Sequence, residues 1–325
     1  MRILSGIQPS GRLHIGNELG AVRNWLDLQA DPANECFFFI ADWHSLTEQY
    51  DVERKAEQIR ELVAELIALG IDPERSTLFR QSDIPEHMEL AWYFSCVTPI
   101  SELQRMTQYK DKTARGETTN MGLFSYPVLM SADILAYAHG QPVGVPVGED
   151  QRQHVELANS VRRWFNNRYG EMFNEVRTLH TPTPRLMSLK DPTCKMSKSH
   201  GDAHCLFLDD TPEVVEKKLK SAVTDSGEGD SAGVTTLMAI LDAYAADTAA
   251  AFKAQHGAGT LKYSELKPAV ASVFSDAHAD FRARKNELMA QPDIMDEILA
   301  ASAEKIHATI APMIEDVRRR VGIRS

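Results

Sequence analysis

The chain has 325 residues, 43% hydrophobic and 25% charged, a balance that fits a globular protein of about two domains and excludes disordered or fibrous classes. No apolar run approaches the ~20 residues of a membrane span and the first residues lack a secretory-signal layout, so a cytoplasmic protein is expected. A formal net charge of −11 excludes nucleic-acid binding through overall charge; any RNA contact must use a local basic patch.

Ile3-Leu4, followed by Ser5-Gly6-Ile7-Gln8-Pro9-Ser10-Gly11, reads as a first strand entering a Gly/Pro-rich turn. His14-Ile15-Gly16-Asn17 then opens a helical pattern with Leu19, Val22, Trp25, Leu26 and Leu28 on one side. A strand, a glycine-punctuated loop and a helix N-terminus form the layout by which α/β folds hold nucleotide phosphate. There is no G-x-G-x-x-G and no Walker lysine, and Gly227-x-Gly229-x-x-x-Gly233 reads as a linker. Cys36 to Ala41 is a continuous apolar run, as in a central strand, with Asp42-Trp43-His44 at its C-terminal end. Asp51 caps a helix whose stripe is Val52, Ala56, Ile59, Val63, Leu66 and Ile67, ended by Gly70 and Pro73. Ser76 to Arg80 is the third strand, and the β–α–β alternation predicts a parallel sheet.

Glu86 to Val97 is helical, and its Leu90, Trp92, Tyr93, Phe94 and Val97 serve either core packing or a subunit contact. The basic run Arg105 to Lys112 precedes a Thr/Gly-rich segment and reads as mobile. Tyr126 to Leu135 places a single carboxylate, Asp133, within an apolar helical pattern, where it must be paired or must face a polar ligand group. Val143 to Val147 is a strand that leads into Gly148-Glu149-Asp150-Gln151 and a helix through about Phe165; Leu186-Met187 is a candidate last strand. Beyond Cys205, after a possible short strand at 206–208, the patterns turn helical: Pro212 to Val223, Thr235 to Tyr244, Tyr263 to Met289, and Asp293 onward. Lys217, Lys218, Lys220, Arg318, Arg319, Arg320 and Arg324 read as solvated, positively charged helix faces.

Lys195-Met196-Ser197-Lys198-Ser199 carries the most information. Two ammonium groups and two hydroxyls within five residues, between Pro192 and Gly201, suit a loop that closes over a polyphosphate and stabilises charge on a departing group. The four cysteines, Cys36, Cys96, Cys194 and Cys205, form no C-x-x-C pair, which argues against a structural metal site and fits reduced thiols.

That pentapeptide resembles the signature loop of class I aminoacyl-tRNA synthetases, and His14-Ile15-Gly16-Asn17 resembles their N-terminal His-Ile-Gly-His signature, with Asn17 replacing the second histidine. Gly6 to Gly11, the Leu-Met-Ser-Ala-Asp-Ile-Leu run at 129–135, Val145 to Gln151 and Ala222-Val223-Thr224-Asp225-Ser226 are similar to the bacterial tryptophanyl-tRNA synthetase family, over residues 3 to about 226. The resemblance implies an α/β fold: a Rossmann-type catalytic domain over 1–205 with a dimer-forming helical insertion at about 85–140, then an all-helical tRNA anticodon-binding domain over 206–325. It implies that Gln8, Pro9, Ser10, Gly16, Asn17, Gly148, Glu149, Asp150, Leu186 and Lys195, Met196, Ser197, Lys198 and Ser199 line the ATP site, with His14, Lys112, Lys195 and Lys198 acting on the phosphates. Asp133 would accept the indole N–H, with Tyr126, Met130, His44 and Gln151 around the amino acid. ATP enters with Mg²⁺ and without a dedicated protein metal site; tryptophan, tRNA(Trp) and a second subunit are the implied partners, with no membrane.

Three departures bear on pocket shape: Leu4 where many relatives have phenylalanine, Trp43 where many have glutamine, and a longer connection at His139 to Pro142. The rival readings are a tyrosyl-tRNA synthetase, a related nucleotidyltransferase and a catalytically idle paralogue. A phenol pocket would use a tyrosine–aspartate pair, which Met130 and Asp133 do not form; the Lys-Met-Ser-Lys-Ser string speaks against the nucleotidyltransferase, and the intact His14, Asp133, Lys195 and Lys198 against the idle paralogue.

Overall fold

A computed structural model describes residues 1–116, 119–148, 151–180, 185–224 and 232–324. Five strands, β1 (Arg2–Ile7), β2 (Glu35–Ile40), β3 (Ser76–Arg80), β4 (Val143–Val147) and β5 (Val176–His180), form one parallel sheet in the order β3-β2-β1-β4-β5. The chain builds outward from β1 to β3, then returns to the other side of β1 with β4. The C-terminal ends of β1 and β4 therefore flank a topological switch point, where open α/β sheets leave a crevice for ligands.

β2 shows why the sequence commits to this sheet. Its apolar run is buried on both faces: Cys36, Phe38 and Ile40 enter one hydrophobic cluster and Phe37 and Phe39 the other. Phe38 stacks on Trp25 at 4.6 Å, and Phe39 on Phe79 at 5.5 Å.

After β1 the chain forms helix α1 from three consecutive segments, Ile15–Asn17, a π-helical turn Glu18–Val22, and Arg23–Ala30. Helix α2 (Val52–Ala68) starts at Asp51, whose carboxylate accepts from the Glu53 N–H at 3.0 Å. Of its predicted stripe Val63 and Leu66 are buried and Ile59 and Ile67 half-buried, whereas Ala56 is exposed and Val52 is 75% exposed. The first turns of α2 thus reach past the core. Between β3 and β4 lie α3 (Glu86–Ser95), α4 (Ile100–Gln104), α5 (Thr107–Ala114) and α6 (Met121–Leu135); α7 (Arg152–Tyr169) joins β4 to β5. The basic run Arg105 to Lys112 is helical from Thr107 onward, in α5.

After β5 come α8 (Pro212–Lys220), α9 (Ala232–Tyr244), α10 (Ala246–Gly257), α11 (Tyr263–Ala277), α12 (Ala279–Met289) and α13 (Pro292–Arg320). The fifth strand is β5; Leu186-Met187 makes only an isolated bridge from Met187 to Lys195, and Phe207 only one to His14. Residues 263–289 split into two helices at His278. His278 is held there by Glu18, whose Oε2 accepts from His278 Nε2 at 2.7 Å and from the Tyr244 hydroxyl at 2.6 Å. The π turn of α1 is thereby tied to the C-terminal helices.

The expected solvated cationic faces need correction. Lys218 is buried and paired with Asp210 and Asp202, at 2.8 and 2.9 Å. Arg318 binds Glu89 at 2.6 Å and also contacts Glu315; Arg319 and Arg320 pair with Asp316, and Arg324 with Glu315. Acidic residues one turn earlier on α13 neutralise that cluster, a spacing the composition alone did not weigh.

Candidate active site

Two cavities open at the switch point. The larger, about 1200 Å³, is lined by Gln8, Pro9, Ser10, His14, Gly16, Asn17, Gly148, Leu186 and all of Lys195 to Ser199. The smaller, about 450 Å³, takes in His44, Tyr126, Met130, Asp133 and Gln151, with β1 residues Leu4 to Ile7 and β4 residues Val145 to Val147 as its floor.

His14 caps α1. Its Nδ1 accepts from the Gly16 N–H at 3.0 Å, and Asn17 Oδ1 accepts from the His14 N–H at 3.1 Å. With Nδ1 an acceptor, the ring proton belongs on Nε2, the nitrogen free for a ligand. Burial, then the charges of Lys198 and Lys195, push the His14 pKa down to about 4, so the imidazole is neutral at pH 7. Gly16 is required for a reason the sequence does not show: a Cβ there would lie 2.7 Å from His14 Cε1. Arg12, two residues earlier, binds Asp209 and Asp210, each at 2.7 Å, and lies over the Phe207 ring at 4.3 Å. These contacts fix the first signature against the segment that follows the loop.

The loop itself is anchored by Met196, which is buried and whose N–H donates to Leu186 O at 3.0 Å. That anchor turns Lys195 outward. Lys198 Nζ donates to Gly11 O at 2.9 Å and to Ser10 Oγ at 3.2 Å, so the second signature touches the turn that leads into the first. Burial pushes the Lys198 pKa down to about 8.

Asp133 on α6 is fully buried. His44 Nε2 donates to its Oδ2 at 2.7 Å, Gln81 Nε2 donates to Oδ1 at 2.9 Å, and His87 Nδ1 lies 3.0 Å from Oδ1. Burial alone would raise its pKa, but the N–H groups of His44 and His87 outweigh it and hold the group well below the usual carboxylate range. A carboxylate has about four acceptor positions, so the donors of His44 and Gln81 leave room for a ligand N–H. The Tyr126 hydroxyl donates to Gln108 Oε1 at 2.8 Å and lies 2.7 Å from His154 Nε2. Gly6 lies against the Phe39 ring, and a Cβ there would be 2.5 Å from Phe39 Cζ.

Of the site residues expected from sequence, Glu149 and Asp150 lie outside the described residues. Lys112 does not line either cavity; its Nζ is 3.5 Å from Glu48 Oε1. Sequence reasoning missed Gln81 and His87 behind Asp133, and missed Glu48, Tyr50, Lys55 and Arg185 on the walls of the larger cavity. A half-buried, off-stripe lysine at the start of a helix, such as Lys55, gives no periodicity signal.

The family model described as tRNA synthetases class I (W and Y) matches residues 1–279. The chain is 40% identical to tryptophan–tRNA ligase 2 of Streptomyces avermitilis, over 99% of this chain and 96% of that one, and 39% identical to tryptophan–tRNA ligase of Bacillus anthracis, over 99% and 98%. The structure is similar to that of Campylobacter jejuni tryptophanyl-tRNA synthetase complexed with ADP and tryptophan, with a TM-score of 0.85, 32% identity and coverage of 99% and 100%. The chain therefore belongs to the class I tRNA synthetases of the tryptophan and tyrosine family, and within it to the tryptophan–tRNA ligases.

Proposed function

We propose that the two cavities are one active site, which joins L-tryptophan to ATP as tryptophanyl-adenylate, releases pyrophosphate, and passes tryptophan to the 3′-terminal adenosine of tRNA(Trp). One observation carries this reading: Gln8, Asn17, Gly20, Ala21 and Gly148 line both cavities. An amino acid with its indole at Asp133 has its carboxylate directed along the shared wall to the α-phosphate of a nucleotide in the larger cavity. The new bond joins a carboxylate oxygen to the α-phosphorus, and the bond to the β-phosphate bridging oxygen breaks. Lys195, Lys198 and the neutral His14 Nε2–H meet the charge on the leaving pyrophosphate, so catalysis is positioning plus charge stabilisation. Mg²⁺ would enter with ATP and offset part of the phosphate charge. Lys112 joins the pyrophosphate when it leaves Glu48.

The same reading makes the protein a cytoplasmic homodimer. No described helix is long and apolar enough to cross a membrane. Met88 and Trp92, one turn apart on α3, and the neighbouring Ile100 are 48%, 69% and 65% exposed, an apolar face suited to a second subunit. The helices from about residue 206 onward carry the anticodon contacts, with the exposed Lys217 and Lys220 as cations available to RNA. Charging of tRNA(Trp) with labelled tryptophan, and not of tRNA(Tyr) with tyrosine, tests the assignment; charging with tyrosine alone would overturn it.

A further inference from the structure

Lys55, on the first turns of α2, belongs to neither signature, yet it lines the larger cavity together with His14, Lys195 and Lys198. Its ammonium is half-buried and donates to Pro9 O at 3.3 Å. No carboxylate among the described residues lies within ion-pair distance of it, and its other near neighbour is the Tyr50 ring, 5.1 Å from Nζ. Lys198 grips the next two residues of the same turn, with its hydrogens directed at Ser10 and Gly11. Lys55 has three N–H donors, and its one long bond to Pro9 O leaves two to offer. Burial lowers its pKa, and the charges of Asp42 and Glu48 only partly restore it. A half-buried, unpaired ammonium at the wall of a cavity is stabilised by an anion there.

We propose that Lys55 is a further phosphate-binding residue, facing the terminal phosphates of ATP across the cavity from the Lys195–Ser199 loop. This rests on the reading of the larger cavity as the ATP site. The loop lysines approach from the second signature and Lys55 from α2, so the polyphosphate is held between two walls. The neighbouring Glu48, also on the cavity wall, lies 3.5 Å from Lys112 Nζ.

The test is equilibrium binding of ATP, AMP and inorganic pyrophosphate to the full chain and to Lys55→Met, Lys55→Gln and Lys55→Arg, with melting temperatures alongside. Loss of one charge-assisted contact is expected to weaken ATP and pyrophosphate about tenfold in the Met and Gln variants, with AMP and tryptophan within about twofold of wild type and most of the loss recovered in Lys55→Arg. Equal weakening of ATP and AMP would mean that Lys55 only props the Pro9 turn, and would overturn the proposal. Unchanged ATP affinity in a folded variant would overturn it too, while leaving the ATP site intact. Wild-type protein that binds no ATP would overturn both readings.

Discussion

Asp133→Asn is the sharpest perturbation of the amino-acid pocket. The substitution keeps the shape but removes the charge and places an NH₂ where an oxygen now accepts. In the native site the carboxylate is fully buried, with His44 Nε2 at 2.7 Å, Gln81 Nε2 at 2.9 Å and His87 Nδ1 at 3.0 Å. The indole N–H would lose a hydrogen bond to a charged acceptor, worth about 1.5–3 kcal/mol, which corresponds to roughly a 10- to 100-fold rise in the tryptophan KM. The His44 N–H also loses its charged acceptor, so stability should fall by about 1–3 kcal/mol; Asp133→Ala, which strands the donors of both His44 and Gln81, should cost about 3–5 kcal/mol. Steady-state ATP–pyrophosphate exchange gives the KM values, and urea unfolding the stabilities. The ATP KM should stay within about twofold. A folded Asp133→Asn enzyme with a wild-type tryptophan KM would refute the indole role of Asp133.

Lys198, whose ammonium is charged below about 8 and neutral above, should give kcat/KM for ATP an alkaline limb near that pH; Lys198→Arg should move the limb upward, and an unmoved limb would clear Lys198 of it. His14 titrates near 4 and should add no acid limb between pH 5 and 8, which a pH profile of His14→Asn against wild type checks. Gly6→Ala would drive a Cβ into Phe39, itself stacked on Phe79, and should cost about 1–3 kcal/mol and raise the tryptophan KM more than the ATP KM. Trp92→Glu, on the exposed face of α3, should yield monomers in sedimentation; dimers of unchanged affinity would move the subunit contact elsewhere.

The sheet was legible where strands are fully apolar or sharply bounded. Cys36 to Ile40 reads as a central strand because both its faces are covered, and Ser76 to Arg80 follows from the helix terminator before it. β5 escaped because its sequence, Val176-Arg177-Thr178-Leu179-His180, has one buried residue at an edge of the sheet. The break at His278 depends on Glu18, far along the chain, and the burial of Lys218 on Asp210, two turns and a loop away; no local pattern announces either. Asp133 was legible as a buried carboxylate needing a partner. Its partners were not, since Gln81 and His87 lie 52 and 46 residues upstream and enter the pocket from the turn after β3 and from α3. Gly16 was legible as part of the first signature, but the reason for a glycine there, the folded-back His14 ring, is a property of the cap.

ATP–pyrophosphate exchange with tryptophan and tyrosine side by side tests the central claim most directly. The account predicts exchange that depends on tryptophan and is abolished by Lys198→Ala without loss of tryptophan affinity. Exchange with tyrosine in place of tryptophan would contradict the Asp133 pocket, and exchange with neither would contradict the joined active site.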